Sequence, residues 1–332
     1  MLKRALAVLL GALLLGQGAA VGQRVTLVFV GDMQLGRGVG RAIALKGADY
    51  PFAGTSMITR AADLAVGNLE CALSREGRPL VKRYSFKASP ACADGLARAG
   101  FDILSLANNH TMDCGRTGLL DTMAALKKRG LLAVGAGKDA RAAEAPLIVE
   151  RNGLRIAVLA WTAVRCEGMI HRPDAPGVAV LDAARAAAAV RAARQHTDLV
   201  ICLLHWGLEY TRQPLETQRR IAHRLIDAGA ALVVGHHPHT PQPVERYKRG
   251  LIAYSLGNFV FDTARERARR GIILKCTLSP RGLTEWQVVP VRIRAAQPRP
   301  ETSRGRSPFV RPPTGGLADQ ARQRAAPTSG QR

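Results

Sequence analysis

The segment ALVVGHHPH, residues 231–239, joins a short apolar run to a dense group of histidines. The run predicts a buried strand that ends at Gly235, and three imidazoles follow within the next four positions. Neutral imidazole is a common ligand of divalent transition metals, and Pro238 restricts the turn so that His237 and His239 can face one space. A polar turn that carries histidine by chance is the alternative interpretation. A tract this rich in histidine is more typical of a metal site.

The same order, an apolar strand followed by polar residues, recurs along the chain. Apolar runs predict further strands at 25–30, 61–66, 101–107, 198–204 and 251–256. Helical spacing of apolar residues or an Ala-rich composition predicts helices at 118–129, 181–196 and 215–228. Asn152-Gly153, between two apolar segments, predicts a hairpin. Strands that alternate with helices predict an α/β fold with mostly parallel central strands.

Polar residues at the ends of these strands form the predicted site. In α/β folds the functional crevice lies beyond the carboxyl ends of the strands, so these residues are expected to converge. Each of them alone could instead be a turn, a helix cap or a core histidine. Together they offer oxygen and nitrogen ligands without thiolate, a set that suits a hydrolytic centre with two divalent cations. The predicted metal ligands are Asp32, Glu70, Asn109, His205, His237 and His239.

Three further residues are candidate catalytic groups. His110 follows the predicted ligand Asn109 and could protonate a leaving oxygen instead of binding a cation. Arg37 could offer both arms of its guanidinium group to a phosphate or a carboxylate. Glu209, four residues after His205, could orient a metal ligand or act as a base.

The composition is strongly basic. The 332 residues include 48 Lys and Arg against 25 Asp and Glu, which gives a formal charge of +23 and a pI near 11.0. This balance favours nucleic acid, anionic lipid head groups or an acidic polymer as a partner, although an Arg-rich proteome would give the same total. Most of the Arg residues are scattered between Ala residues with little aromatic interleaving, so no nucleic-acid partner is expected.

Both ends of the chain differ from its middle. Lys3 and Arg4 precede the apolar run 5–15, and small residues at 18–20 follow, so residues 1–20 predict a signal peptide, with an uncleaved anchor as the alternative. Export to the periplasm or cell surface is therefore expected. Residues 295–332 are rich in Pro, Arg, Ser and Gly and predict a disordered basic tail. The six cysteines are widely spaced and make no C-x-x-C pair, which leaves disulfides or buried thiols open and argues against a thiolate zinc site.

Six motifs occur in order between residues 25 and 291: GDMQLGR, NLE, LANNHTMDCG, HWGLEYT, VVGHHPHTPQPVE and YSLGNFVFD. This ordered set resembles the CapA family of poly-gamma-glutamate capsule synthesis proteins, which resembles the calcineurin-like metallophosphoesterases in fold. The resemblance implies one domain at 25–293, a four-layer sandwich of two β-sheets flanked by helices, and a two-metal site. It assigns Asp32 to the first metal, Glu70 to the bridging acid, and Asn109-His110 to the Asn-His pair. His205 matches the isolated metal histidine, and His237 with His239 match the closing His-x-His.

The chain departs from the phosphoesterase pattern at three positions. Gln34 stands where an Asp-x-His motif has its histidine, Gly67-Asn68-Leu69-Glu70 replaces Gly-Asp-x-x-Asp, and Thr111 replaces an acid. One metal site could therefore be weak or take a different ion, and Mn, Fe, Zn and Mg are not separable by ligand type.

Two functions remain open at this stage. The first is a metal-dependent hydrolase that acts on a phosphoester or on an amide of an exported polymer. The second is a non-catalytic accessory subunit that binds or exports acidic poly-gamma-glutamate, together with membrane-bound capsule synthase subunits. Because a fold alone does not establish a function, the two have to be separated by the site itself.

Overall fold

The computed structural model describes residues 23–167, 172–301 and 309. The signal peptide or anchor predicted at residues 1–20 lies outside these residues, as does most of the predicted tail. Within the described part of the chain, every helix is too short or too polar to span a bilayer. All six cysteines are free thiols, and five of them are buried.

The first large sheet has eight strands among the described residues, in the order β18-β17-β16-β1-β2-β5-β6, with β15 also paired to β1. Strand β1 pairs in parallel with β2 and with β15, and the sheet continues in parallel from β2 to β5 and from β5 to β6. Strand β16 pairs with β1 in the antiparallel direction. The strands are β1 (Val25–Met33), β2 (Leu64–Leu69), β5 (Ile103–Ser105), β6 (Leu132–Val134), β15 (Asn258–Val260), β16 (Arg270–Ser279), β17 (Gly282–Arg294) and β18 (Gln297–Pro300).

The second large sheet has six strands in the described residues, in the order β13-β14-β12-β11-β9-β8. Its four inner strands are parallel, and its two edge strands are antiparallel to their neighbours. The strands are β8 (Leu147–Arg151), β9 (Leu154–Thr162), β11 (Leu199–His205), β12 (Leu232–His236), β13 (Val244–Tyr247) and β14 (Gly250–Ala253).

Helices and two short strand pairs complete the fold. The pairs are β3 (Ala72–Leu73) with β4 (Lys87–Ala88), and β7 (Ala136–Gly137) with β10 (Gly177–Val178). Short 3₁₀ segments cover Tyr50–Phe52 and Glu266–Arg269. The helices are α1 (Arg37–Lys46), α2 (Ser56–Arg60), α3 (Cys92–Arg98), α4 (Gly115–Lys128), α5 (Ala140–Glu144), α6 (Ala183–Arg194) and α7 (Glu216–Asp227).

The helices and sheets form four layers, and an apolar core fills the space between each two neighbouring layers. Successive side chains of a strand point to opposite faces of a sheet, and both faces of each sheet are covered. On β11, Ile201 faces the core between the two sheets, whereas Cys202 faces the core against α6 and α7. On β1, Phe29 faces the same inter-sheet core, whereas Val28 faces the core against α1, α3 and α4. The order of layers is therefore helix, sheet, sheet, helix.

The hairpin predicted at Asn152-Gly153 is confirmed. Both residues have positive φ, 52° and 76°, as a two-residue turn that matches the twist of β8 and β9 requires. Beyond residue 293, where the predicted domain ends, the described residues form one further strand. Strand β18 pairs with β17 after a turn in which Ala295 and Ala296 have φ of 50° and 65°. Backbone hydrogen bonds to β17 hold this strand in place. The apolar periodicity of a sequence does not report such hydrogen bonds.

Candidate metal centre

The predicted ligands lie at one edge of the sandwich, where strands of both sheets have their carboxyl ends. Asp32 is the penultimate residue of β1, and Glu70 directly follows β2. His205 ends β11, and His237 directly follows β12. Because these strands are parallel within each sheet, the polar residues that follow them meet at one edge.

Glu70 belongs to two groups of ligand atoms. Among the described residues, Asp32, Glu70 and His239 form one group, and Glu70, His205 and His237 form the other, with all ligand atoms of a group within 4.8 Å of one another. Glu70 Oε1 lies 3.6 Å from His205 Nε2 and 3.9 Å from His239 Nε2. Glu70 is therefore the residue that the two groups share.

Asn109 joins the second group. Its Oδ1 lies 2.8 Å from His205 Nε2, the nitrogen that also faces Glu70. An amide oxygen, a carboxylate and two imidazoles suit a divalent cation of borderline softness. The structure thus brings all the predicted ligands together in two overlapping groups: Asp32, Glu70 and His239; Glu70, Asn109, His205 and His237.

The charge balance of this cluster fits a bound cation. Glu70 is fully buried, and neither of its carboxylate oxygens has a hydrogen-bond partner in the described residues. Burial and the neighbouring charge of Asp32 raise the pKa of Glu70 well above its usual value. Burial would lower the pKa of His239, but the carboxylates of Glu70 and Asp32 raise it to about 10. A buried acid without donors is costly, and a bound cation is the group that removes this cost.

The loop that carries the closing histidines has an unusual backbone. His237 and His239 have positive φ, 95° and 54°, a region that non-glycine residues rarely adopt. The backbone N–H of His237 donates to Asp32 Oδ2 over 3.2 Å, which ties this loop to β1. Backbone strain of this kind accumulates at functional sites, where the surrounding structure holds it in place.

A framework of three asparagines, which the sequence analysis did not select, holds the ligands. Asn68 Nδ2 donates to Asp32 Oδ1 over 2.9 Å and lies 3.3 Å from His205 Nδ1. Asn108 Nδ2 donates in turn to Asn68 Oδ1 over 3.1 Å. Asn258 Oδ1 lies 2.9 Å from His239 Nδ1, which leaves the Nε2 of that ring facing Glu70. Partners of this kind fix the orientation of a ligating imidazole.

In the sequence, Asn68 and Asn258 each follow an apolar run, and this position could have identified them as site residues. In the first sheet Asp32 is paired with Asn68 on one side and with Asn258 on the other. Gly67-Asn68 and Gly257-Asn258 both repeat the pattern of Gly31-Asp32. Only the strand pairing shows that the three polar side chains lie side by side.

His110 lies beside the ligands and is held by Asp113. His110 Nδ1 lies 2.7 Å from Asp113 Oδ2, and the imidazole stacks on Phe86 with ring centroids 4.1 Å apart. Lys82 Nζ lies 2.5 Å from the other oxygen of Asp113. Burial lowers the pKa of His110, although the contact with Asp113 opposes this effect. Asp113 was missed as a site residue, and the His-x-x-Asp spacing was the available signal.

Arg37 and Glu209 lie at the rim of the site. Arg37 Nε is 3.4 Å from Asp262 Oδ2, and its guanidinium lies 5.4 Å from the centroid of the Phe86 ring. Glu209 is exposed and outside both ligand groups, where its charge contributes to the raised pKa of Glu70. The structure therefore places Arg37 near His110 through Phe86 and shows no contact of Glu209 with a metal ligand among the described residues.

Gln34 stands where an Asp-x-His motif has its imidazole. Its Nε2 donates to Asp262 Oδ1 over 3.0 Å, and its buried Oε1 has no hydrogen-bond partner among the described residues. His236 occupies the neighbourhood of Asp32 instead, with its Nδ1 3.3 Å from Asp32 Oδ1. The first ligand group accordingly has one imidazole, from His239, and the second has two.

Residues 26–263 match the model of the bacterial capsule synthesis protein family PGA_cap. The chain belongs to this family. The PGA biosynthesis protein CapA of Bacillus subtilis (strain 168) is 36% identical over 275 residues, which are 82% of this chain and 72% of that relative. The capsule biosynthesis protein CapA of Bacillus anthracis is 34% identical over 85% of this chain and 70% of that relative.

The fold of this chain is also found in a solved structure. The 5'-nucleotidase precursor of Thermus thermophilus superposes with a TM-score of 0.52 and 18% identity, over 83% of this chain and 56% of the nucleotidase. At that identity the likeness shows the fold alone. The four-layer sandwich of two β-sheets flanked by helices, which the resemblance implies, is confirmed.

Proposed function

We propose that this chain is an exported, metal-dependent hydrolase that acts in the synthesis of a capsule polymer of the poly-gamma-glutamate type. The observation that carries the proposal is the buried carboxylate of Glu70, which faces His205 and His239 and has no hydrogen-bond donor among the described residues. A carboxylate shared by two ligand groups is the arrangement that a two-metal hydrolytic site requires. The basic, apolar start of the chain supports export.

The residues around Glu70 divide the chemistry between them. Two divalent cations would supply Lewis acidity and would lower the pKa of a nucleophilic water. Asp113 accepts the Nδ1 proton of His110, and when the imidazole is protonated its other nitrogen can give a proton to the leaving group. Phe86 covers one face of the imidazole and keeps its orientation. Arg37, held by Asp262, can bind an anionic oxygen of the substrate.

The substrate we propose is the acidic polymer itself. The relatives at 34–36% identity are named for PGA or capsule biosynthesis, and the net charge of +23 favours a polyanion. Hydrolysis of a gamma-glutamyl amide would then trim the polymer or release it. Cleavage of a phosphoester is the other reaction that this site supports.

The second candidate is an accessory subunit that binds the polymer without cleaving it. Gln34 favours this function, because an amide stands where an Asp-x-His motif supplies an imidazole, and the first ligand group has one imidazole. The buried pair of His110 and Asp113 favours catalysis, since polymer binding alone does not need an oriented proton donor.

The deciding experiment measures metal content and turnover on the same preparations. The purified chain is loaded with Mn²⁺ and offered a generic phosphodiester, a phosphomonoester and poly-gamma-glutamate. We expect turnover of the polymer that falls roughly 10²- to 10⁴-fold in His110→Ala, with metal content unchanged. His196→Ala, at an exposed histidine on another face, is the matched control and should keep full turnover. Bound metal without turnover of any substrate would overturn the hydrolase and favour the accessory subunit.

A further inference from the structure

A cavity of about 820 Å³ opens beside the metal centre. It lies between α1, the 3₁₀ segment Glu266–Arg269 and the β17–β18 hairpin. Phe261 and Asp262 line one end of it. The Phe261 ring lies 5.1 Å from the ring of His239, and Asp262 pairs with Arg37. The groove therefore begins at the rim of the predicted active site.

The lining of this groove is basic. Its cations are Arg41, Lys46, Arg269, Arg292 and Arg294, against the two acids Asp262 and Glu266. Both acids are already engaged, Asp262 by Gln34, Gly38 and Arg37, and Glu266 by Arg292. The side chains of Arg41 and Arg294 make no hydrogen bond or ion pair with any residue that the structure describes. Positive charge is therefore left free along the groove.

The basic side chains continue from the candidate metal centre along α1. Arg37 and Arg41 are four residues apart, so they lie on one face of α1, one turn from each other. Lys46 ends the same helix, roughly 13 Å from Arg37 at the rise of an α-helix. Arg294 adds a free charge from β17, whereas Arg292 is paired with Glu266 and Glu301. A linear polyanion could thus contact successive cations while one of its bonds lies at the metal centre.

We propose that this groove binds a segment of a linear polycarboxylate and guides it to the metal centre, an inference that rests on the proposed function. Guanidinium groups pair with carboxylates through two parallel hydrogen bonds, and Arg41 and Arg294 are free to do so. Single-stranded nucleic acid fits less well because it needs exposed aromatic faces for its bases. Of the two aromatic residues in the lining, Tyr50 is covered by Lys46 at 4.5 Å, and Phe261 is buried against His239.

A second basic cavity on this chain can serve as the control surface for the binding experiment. A second cavity, of about 1010 Å³, is lined by five cations and two acids: Arg194, Arg246, Lys248, Arg249 and Arg281, with Asp198 and Asp227. Leu199 and Ala231 in its lining mark the starts of β11 and β12, the opposite edge of the sandwich from the metal centre. The two cavities have the same balance of five cations and two acids and volumes of similar size, but they lie at opposite edges of the sandwich.

The test measures binding of a labelled, gamma-linked glutamate oligomer to the full chain by fluorescence anisotropy, with divalent cations removed by a chelator. The double variant Arg41→Gln/Arg294→Gln should bind about tenfold more weakly, and its affinity should depend less steeply on salt. The control Arg249→Gln/Arg281→Gln has the same net charge and should stay within about twofold of the wild type. Because no metal and no turnover enter this measurement, a failed hydrolase proposal would leave its result unaffected.

Three outcomes overturn the inference. Unchanged binding in the groove variant would exclude this groove as the binding surface. Equal losses in both double variants would show a general effect of net charge. An oligo-dT of equal charge that binds as tightly as the oligomer, and is lost equally in the groove variant, would show a groove without preference for carboxylates. Retained far-UV circular dichroism in both variants establishes that they fold.

Discussion

Glu70 Oε1 lies 3.6 Å from His205 Nε2 and 3.9 Å from His239 Nε2, so one side chain joins two ligand groups. We expect Glu70→Gln to lose both cations, because a neutral amide is a far weaker ligand for a divalent ion. His239→Ala should lose only the cation bound with Asp32, and His237→Ala only the other one. Elemental analysis of the three variants, each dialysed with the same Mn²⁺, measures this pattern.

The metal content of these three variants tests whether Glu70 is shared by two cation sites. If Glu70→Gln kept the metal content of the wild type, its carboxylate would not be a bridging ligand. If His239→Ala and His237→Ala each lost all metal, one coupled site would replace the two overlapping groups. Near-native thermal unfolding of each variant is the necessary control, since these residues line a cleft and are not part of the three apolar cores.

Asp113 is predicted to act on the reaction through His110, and its carboxylate also accepts a hydrogen bond from the backbone N–H of Phe86. Its carboxylate is fully buried, accepts from His110 Nδ1 and is neutralised by Lys82. Asp113→Asn should lower turnover roughly 10- to 100-fold with metal content unchanged, because the imidazole loses the group that fixes its proton. The pH profile of kcat should shift in this variant, which a purely structural role would not cause. An unchanged profile together with unchanged turnover would contradict this role.

At the scale of the secondary-structure element, β1 is shaped by a bulge next to the site. The pairing of β1 with β2 changes register between Phe29 and Asp32, and Gly31 lies within this interval. A Cβ at Gly31 would lie 1.9 Å from the carbonyl oxygen of Gly257. A bulge of this kind redirects the following side chain, here Asp32, and the close backbone approach requires glycine.

Gly31→Ala should therefore destabilise the protein by about 3 kcal/mol or more, since both clashing groups are backbone. The matched control is Gly177→Ala, also in a strand, where the added Cβ would meet nothing closer than 3.8 Å. Thermal unfolding of the two variants measures the difference, and equal melting temperatures would contradict the close approach of β1 to Gly257.

The elements also show what periodicity can and cannot reveal. The helix predicted at 215–228 is observed at Glu216–Asp227, because three- and four-residue spacing of apolar residues reports directly on a helix face. Strand β18 was missed because Gln297–Pro300 has no apolar alternation. It forms through backbone pairing with β17, and Gln297 Nε2 donates to the carbonyl of Tyr50 from another part of the chain.

At the scale of the whole molecule, the candidate metal centre lies where the two sheets meet. Removing cations with a chelator should lower the melting temperature by roughly 5 °C or more, because ligand binding to the folded state alone stabilises it. Added Mn²⁺ should restore the value. The control is Glu70→Gln, whose melting temperature should respond to neither treatment. An identical response of wild type and variant would place the stabilising cation elsewhere.

The sequence by itself determined the α/β architecture, the strand ends and the residue types at those ends. Local periodicity reports burial, and the motifs from Gly31-Asp32 to the closing histidines have a specific order and spacing. The candidate ligands were found in this way. Family membership, given by the match over residues 26–263, agrees with the same motifs.

Only the tertiary structure decided which of these side chains meet. Strand register places Asn68 and Asn258 on either side of Asp32, and the packing of one sheet on the other lets Glu70 face both His205 and His239. The basic groove joins α1 to a hairpin some 250 residues further along the chain. A sequence pattern reports the burial of the segment in which it occurs. Strand register and sheet packing depend instead on contacts between distant segments, which no local pattern encodes.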